Sequence, residues 1–331
     1  MKHILVTGGT GFIGAAVVRR LLAAGHRVRV LDSGFRGSTR RLADVMGDIE
    51  MVDADIRDAT AVSRATTGID SVVHLAFING TEHFYTQPEL VLEVGAKGML
   101  NVIDACLKHR VPELVLASSS EVYQTPATVP TDETAVLVVP DPLNPRYSYG
   151  GGKIISELLA INYGRKHFER VLIFRPHNVY GPDMGWEHVL PQFVMRMKEL
   201  CDNTPGASVR FPIQGSGQET RSFVFIDDFT AGLMTMFERG EHLGIYHIGT
   251  REERTIAEVA SLVGEYFGRR VDLEPGTLSP GGTPRRCPDI GKLSALGYKP
   301  QVSLRAGLPV LADWYVANAH LSPATHKGNR S

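Results

Sequence analysis

The run Thr7-Gly8-Gly9-Thr10-Gly11-Phe12-Ile13-Gly14 restricts this chain more than any other segment. It follows a short apolar stretch, Ile4–Thr7, and opens a stretch of helical spacing, Phe12–Ala24, that stops at Gly25. Apolar strand, glycine turn and helix in that order make a cradle in which backbone amides meet an anion at the positive end of the helix. Gly8, Gly11 and Gly14 allow the tight turn and the close approach, while Phe12 and Ile13 bring their amides to the same place. The turn therefore predicts a bound dinucleotide. Asp32 closes the next expected strand, Arg27–Leu31, about twenty residues downstream. A carboxylate there accepts from ribose hydroxyls and repels a 2′-phosphate, which favours NAD over NADP. Arg36 and Arg40 stand near enough in sequence to soften that preference.

The first half of the chain alternates short strand-like and longer helix-like segments. Strands are expected at Met51–Ala54, Ser71–Leu75, Leu114–Ala117 and Val171–Phe174, and helices at Ala59–Thr66, Glu89–Lys108 and Gly150–Lys166. This rhythm predicts an α/β fold, a doubly wound parallel sheet of Rossmann type. Beyond Pro176, proline and glycine punctuate the chain, and isolated helices are expected at Pro191–Leu200, Ile256–Phe267 and Leu304–Asn318. The expected division is a dinucleotide-binding domain at 1–176 completed by 222–249, a smaller C-terminal substrate-binding lobe at 177–221 and 250–320, and a tail at 321–331.

Lysine and arginine number 35 against 36 aspartates and glutamates, so no basic field exists to hold nucleic acid. Cys106, Cys201 and Cys287 are far apart, and neither they nor the scattered histidines show metal-ligand spacing. No metal is expected, and reduced thiols fit a cytoplasmic protein. No signal sequence or bilayer-length apolar run is visible, so no membrane partner is expected.

Tyr149 and Lys153 stand four apart on one expected helix face. A phenol ordinarily loses its proton near pH 10. A neighbouring ammonium and an oxidised nicotinamide would lower that value, giving a general acid–base for a hydroxyl. A second group, Ser118-Ser119-Ser120-Glu121, follows an expected strand, where ligands of open α/β sheets bind. Its hydroxyls can orient a sugar hydroxyl and its carboxylate can take a proton from carbon; serines there also serve simply as turn caps.

These segments, with Arg175-Pro-His-Asn-Val-Tyr-Gly-Pro182, Gln218–Asp228 and Arg286-Cys-Pro-Asp-Ile290, occur in an order that resembles the extended short-chain dehydrogenase/reductases, the nucleotide-sugar epimerase/dehydratase group. The resemblance spans roughly residues 3–315. It implies that Ser119 hydrogen-bonds the reacting hydroxyl, that Tyr149 is its base, and that Lys153 holds the nicotinamide ribose. It further implies that Asp55, followed by Ile56, contacts adenine, and that Asn178, Arg221 and Arg286 hold the diphosphate of a nucleotide-diphosphate sugar. A homodimer through the helices at Glu89–Lys108 and Gly150–Lys166 is implied as well.

Three positions depart from the family pattern. Gly150-Gly151-Gly152 fills the interval between Tyr149 and Lys153, where serine or alanine commonly precedes the lysine; glycines there would leave room beside the nicotinamide. Gly95 stands at a family asparagine. His177 replaces a small or aromatic residue, and it either touches substrate or packs within its loop.

A transient 4-keto sugar has three fates: re-reduction to the 4-epimer, loss of water from carbon 6, or loss of a carbon-6 carboxylate as carbon dioxide. The number of known epimerases tips the reading slightly toward 4-epimerase. Ser119, Ser120 and Glu121 resemble the run found in 4,6-dehydratases and uronate decarboxylases. A non-catalytic NAD-binding sensor is a remoter alternative, since such proteins would be expected to lose the Tyr149–Lys153 pair.

Overall fold

The computed structural model describes residues 1–203, 205–277 and 283–323, so most of the expected tail, from 324 onward, lies outside the described residues. Seven parallel strands form the central sheet: β1 (His3–Thr7), β2 (Arg27–Asp32), β3 (Ile49–Asp53), β4 (Ser71–His74), β5 (Glu113–Ala117), β6 (Arg170–Pro176) and β7 (Gly244–Ile248). Their order is β7-β6-β5-β4-β1-β2-β3. The sheet is doubly wound, as expected. β1 pairs with β2 on one side and β4 on the other, so the winding reverses between β1 and β4. That reversal opens a crevice at the carboxyl ends of the strands.

Hydrophobic burial on both faces drives this arrangement. Every residue of β1, β4 and β5 is buried, because parallel strands with helices on either side have no wet face. Ile4, Val6, Val17 and Val18 pack on one face, with Leu172 and Phe229. Leu5, Val72, Leu114 and Val102 pack on the other. Each such side chain contributes roughly 1.5–3 kcal/mol by leaving water. The helix Phe12–Ala23 (α1) follows the glycine turn and buries Gly14, Ala15, Val17, Val18 and Leu21.

The expected helix at Glu89–Lys108 is interrupted. Pro88–Leu92 and Gly98–His109 are α-helical, but Glu93–Lys97 between them forms a π-turn centred on Gly95. Such turns insert an extra residue and shift the side chains that follow. Beyond β6, the chain builds small sheets that the glycine- and proline-rich sequence concealed. Ser208–Ile213 pairs in parallel with Arg270–Pro275. Thr220–Ser222 lies between Glu253–Thr255 and Arg285–Arg286. Among the described residues, no helix is long and apolar enough to cross a membrane.

Candidate active site

A cavity of about 520 Å³ runs along the carboxyl ends of the strands, lined by Gly8, Gly11, Asp32, Asp55, Tyr149 and Arg286 among others. Its walls are backbone at one part and charged side chains at another.

The glycine turn forms the first part. Gly8 has φ of +74°, and a Cβ there would lie 2.8 Å from the backbone of Ala76. A Cβ on Gly14 would run into the carbonyl oxygen of Gly8 and come within 2.8 Å of the Gly9 Cα. Gly11 N-caps α1 without a side-chain cap, so the first amides of that helix face the cavity unblocked. This cradle fits a pyrophosphate and excludes side chains. Phe12 and Ile13 line it too.

Asp32, at the end of β2, accepts from the Thr10 amide at 2.9 Å and the Gly34 amide at 2.9 Å, which fixes the carboxylate at the cavity edge. Arg36 does not reach it; its guanidinium is paired with Glu187. Arg40 is paired with Asp183 at 2.7 Å, and Arg41 joins the same carboxylate. The cations that could have welcomed a 2′-phosphate are thus neutralised by carboxylates from beyond β6. Asp55 accepts from the backbone amide and the guanidinium of Arg57, which holds its carboxyl below the usual range. Ile56 beside it is buried against Gly98.

The second part gathers Ser119, Tyr149 and Lys153. Asn144 caps a short 3₁₀ turn at Pro145–Tyr147, which feeds the helix Ser148–His167. That helix projects Tyr149 and Lys153 from one face. The Tyr149 ring stacks on Phe84 with centroids 5.1 Å apart and meets the edge of Phe77 at 5.2 Å. Its hydroxyl bonds Ser119, whose Oγ also accepts from the Glu121 amide at 3.1 Å. Ser119 therefore caps a turn and touches the phenol at once. Lys153 is buried and donates to the Ala117 carbonyl at 2.7 Å. Neither Phe77 nor Phe84 is singled out by the sequence; the glycines where bulk is expected are its one sign that a ring fills the space.

The charge balance differs from the expectation. Burial pushes the Tyr149 phenol up to about 12, with Ser119 pulling the other way, and Lys153 makes no resolved contribution. Burial likewise brings the Lys153 ammonium down to about 7. In the protein alone the phenol stays protonated, so lowering it requires a further positive charge in the cavity.

Glu121 turns toward Arg286, whose Nη1 donates to it at 2.6 Å, and Thr283 accepts from the other guanidinium nitrogen at 3.0 Å. Burial alone would raise the Glu121 carboxyl, but Arg286, with Arg146 and Arg221 nearby, holds it below the usual carboxylate range. Arg221 is half-buried near Arg286 and pushed down to about 10, first by burial and then by that like charge. One arginine thus pairs with this carboxylate, and two more act on it electrostatically without contact. Among the described residues, the Nε atoms of Arg286 and Arg146 are buried without a partner. Such a site invites an anion. Arg286 borders the cavity, as do Ser120 and Asn178, whereas Arg221 stands behind it. Asn178 has φ of +41° and donates to the Ser222 carbonyl at 2.9 Å.

The glycines of the Tyr149–Lys153 interval do not open space for a ligand. A Cβ on Gly150 would lie 2.6 Å from Gln124 Nε2, and one on Gly152 would lie 3.0 Å from Phe77 Cζ. His177 is 1% exposed and packs against the His247 ring, with centroids 4.8 Å apart, so it belongs to the interior and not to the cavity lining.

Comparison with known proteins places these features in context. The NAD dependent epimerase/dehydratase family matches residues 4–249. The chain is 33% identical over 313 residues to UDP-glucuronic acid decarboxylase 2 of Arabidopsis thaliana, covering 93% of this chain and 67% of that one. It is 30% identical over 326 residues to a dTDP-glucose 4,6-dehydratase of Streptomyces antibioticus, covering 96% and 93%. Among solved structures, the dTDP-glucose 4,6-dehydratase DesIV of Streptomyces venezuelae, with NAD bound, superposes with a TM-score of 0.84 at 30% identity, covering 97% and 99%. The UDP-glucose 4-epimerase of Thermus thermophilus, in complex with NAD, gives 0.80 at 28% identity, covering 95% and 99%.

Proposed function

The chain belongs to the NAD dependent epimerase/dehydratase family, and from that premise we propose that it is a nucleotide-sugar decarboxylase acting through a transient 4-keto sugar. It is an NAD-dependent enzyme. The glycine turn and α1 would hold the pyrophosphate, Asp32 the adenosine ribose, Asp55 and Ile56 the adenine, and Lys153 the nicotinamide ribose. When bound there, NAD supplies a two-electron acceptor for the sugar and a positive charge beside Tyr149.

Tyr149 takes the proton of the 4-hydroxyl, and Ser119 orients that hydroxyl by its bond to the same phenol. The resulting 4-ketone stands β to a carbon-6 carboxylate. Breaking the carbon 5–carbon 6 bond sends its electrons toward the ketone oxygen and releases carbon dioxide. Tyr149, now protonated, donates to that oxygen as negative charge grows on it. Arg286 and Glu121 would face the carbon-6 side of the sugar; carbon 5 then takes up a proton, and the hydride returns to carbon 4, restoring the alcohol.

The observation that carries this reading is the ion pair of Arg286 with Glu121, with Arg146 and Arg221 close enough to act on the same carboxylate. An excess of positive charge suits an anionic sugar carbon better than a neutral hydroxymethyl group. Ser120 stands where one group of dehydratases has an aspartate, but other dehydratases have serine there, so it does not decide against dehydration. The 4-epimerase reading draws on numbers of relatives, and there the same arginines would serve the diphosphate alone. Arg286 and Arg221 would divide their work between the carboxylate and the diphosphate, with Asn178 beside them.

Incubation with a panel of nucleotide-diphosphate sugars decides the matter. Loss of the mass of carbon dioxide from a uronate supports the proposal; a product of unchanged mass assigns a 4-epimerase, and loss of water a dehydratase. We also propose that residues 1–176 with 222–249 carry the cofactor and 177–221 with 250–320 the sugar. A homodimer is proposed as well, because Leu100, Ile155 and Leu158 leave an exposed apolar strip on the helices Gly98–His109 and Ser148–His167. Sedimentation equilibrium tests that state.

A further inference from the structure

Phe77 follows β4 and lies between the two helices that carry Gly95 and Gly152. A Cβ built on Gly95 would sit 2.5 Å from Phe77 Cζ and 2.7 Å from its Cε2. One built on Gly152 would sit 3.0 Å from the same Cζ. Real Cβ atoms essentially never approach below 3.0 Å, so the ring and a side chain at position 95 exclude each other. Two departures from the family pattern, far apart in sequence, thus meet at the tip of one ring. Helix propensity makes the point sharper: glycine inside a helix costs about 1 kcal/mol relative to alanine, so both positions forgo stability to admit the ring.

The ring also touches the proposed chemistry. Lys153 Nζ lies 4.0 Å from the Phe77 centroid and 5.8 Å from that of Tyr149, and among the described residues its one hydrogen bond goes to Ala117. The same ring presents itself to Tyr149 edge-on. A buried ammonium with a single hydrogen-bond acceptor gains from an aromatic face, whose quadrupole is negative.

We infer that Phe77 is the positioning residue for Lys153, and that Gly95 and Gly152 are glycines because its ring fills the space their side chains would need. This rests on the reading of Tyr149 and Lys153 as the acid–base pair. The ring stands where a side chain at Gly95 would otherwise reach, and it holds the ammonium between an aromatic face and the Ala117 carbonyl.

A thermal double-mutant cycle on the full chain tests the packing. Gly152→Ala should lower Tm by on the order of 3 °C beside Phe77, because it overpacks. In a Phe77→Ala background the same change should raise Tm by about 1–2 °C, because only helix propensity then acts. Gly95→Ala should reverse sign in the same way. Gly151→Ala, which meets only Val139 Cγ2 at 3.6 Å, should raise Tm in both backgrounds.

The positioning role has its own readout. Phe77→Leu keeps apolar bulk but removes the aromatic face, so the ammonium loses its proton more easily. The alkaline limb of the turnover profile should then move to lower pH by roughly half a unit to one unit. A purely structural role would lower the plateau and leave the limb in place. Gly152→Ala effects of the same sign in both backgrounds, or an unmoved limb in Phe77→Leu, would overturn the inference. Full turnover in Tyr149→Phe would overturn the acid–base reading itself, and Phe77's role with it, whatever the thermal cycle gave.

Discussion

The glycine turn and the surroundings of Tyr149 share one cavity, yet the first is built of backbone from one short stretch and the second of side chains from distant parts of the chain. At the turn, Gly8, Gly11 and Gly14 act by what they lack, and the amides of α1 do the binding. Around Tyr149, each group depends on another: Ser119 on the phenol, Lys153 on Phe77 and Ala117, and Glu121 on Arg286, which lies 165 residues away in sequence. Backbone cradles tolerate little change in shape but carry no group that titrates. A site of coupled side chains is the reverse, and perturbing the two parts should therefore give different kinds of failure.

The largest expected effect belongs to the side-chain part. Tyr149→Phe removes one hydroxyl and keeps both aromatic contacts, so Tm and retained nicotinamide should stay near the parent values. Turnover should fall by about 10²–10⁴-fold, the usual contribution of a positioned acid–base. Single-turnover assays alongside fluorescence of bound cofactor would show it. A matched fall in cofactor content would mean that the two parts are not separable.

Gly14→Ala should produce the converse failure. Its Cβ meets the Gly8 carbonyl and the Gly9 Cα, and such overpacking costs about 1–3 kcal/mol. NAD affinity should fall roughly 10- to 100-fold, while saturating NAD should restore most of the turnover. Titration calorimetry with NAD, followed by assays at rising NAD, separates these outcomes. Turnover that stayed low at saturation would show that the turn also shapes the reacting part.

The same contrast explains what the sequence made legible. Strand β1, the glycine turn, α1 and Asp32 are contiguous or nearly so, and each does its work through local backbone, so their pattern reads directly. Tyr149 and Lys153 stand out by spacing and Ser119 by its place after a strand, and the resemblance adds their roles, but neither supplies their environment. The Tyr149 phenol lies higher and Lys153 lower than the pair's spacing suggests, because burial is a property of packing and not of spacing. The pairing of Glu121 with Arg286 needed a strand that lies 165 residues on, within a lobe whose short sheets alternate too briefly to register. Phe77 was hidden most thoroughly, since a phenylalanine after a strand reads as core until the glycines opposite it are seen.

The smallest expected effect is a pH dependence confined to the side-chain part. Lys153 sits in the folded protein at about 7, below its ordinary value of 10.5, so the unfolded chain binds a proton that the folded chain does not between those values. Stability contributed by this group must then rise with pH across that window, because unfolding takes up a proton there. Below pH 7 both states are charged, and the folded state bears the full cost of a buried ammonium. Lys153→Met, measured without NAD, should accordingly gain Tm over the parent at pH 7 and lose that margin as the pH approaches 10. Gly14→Ala, which carries no titrating group, should show a Tm deficit that does not vary over the same range. A Lys153→Met margin constant with pH would mean that the ammonium stays hydrated, and the dry, coupled character assigned to this part of the cavity would fail with it.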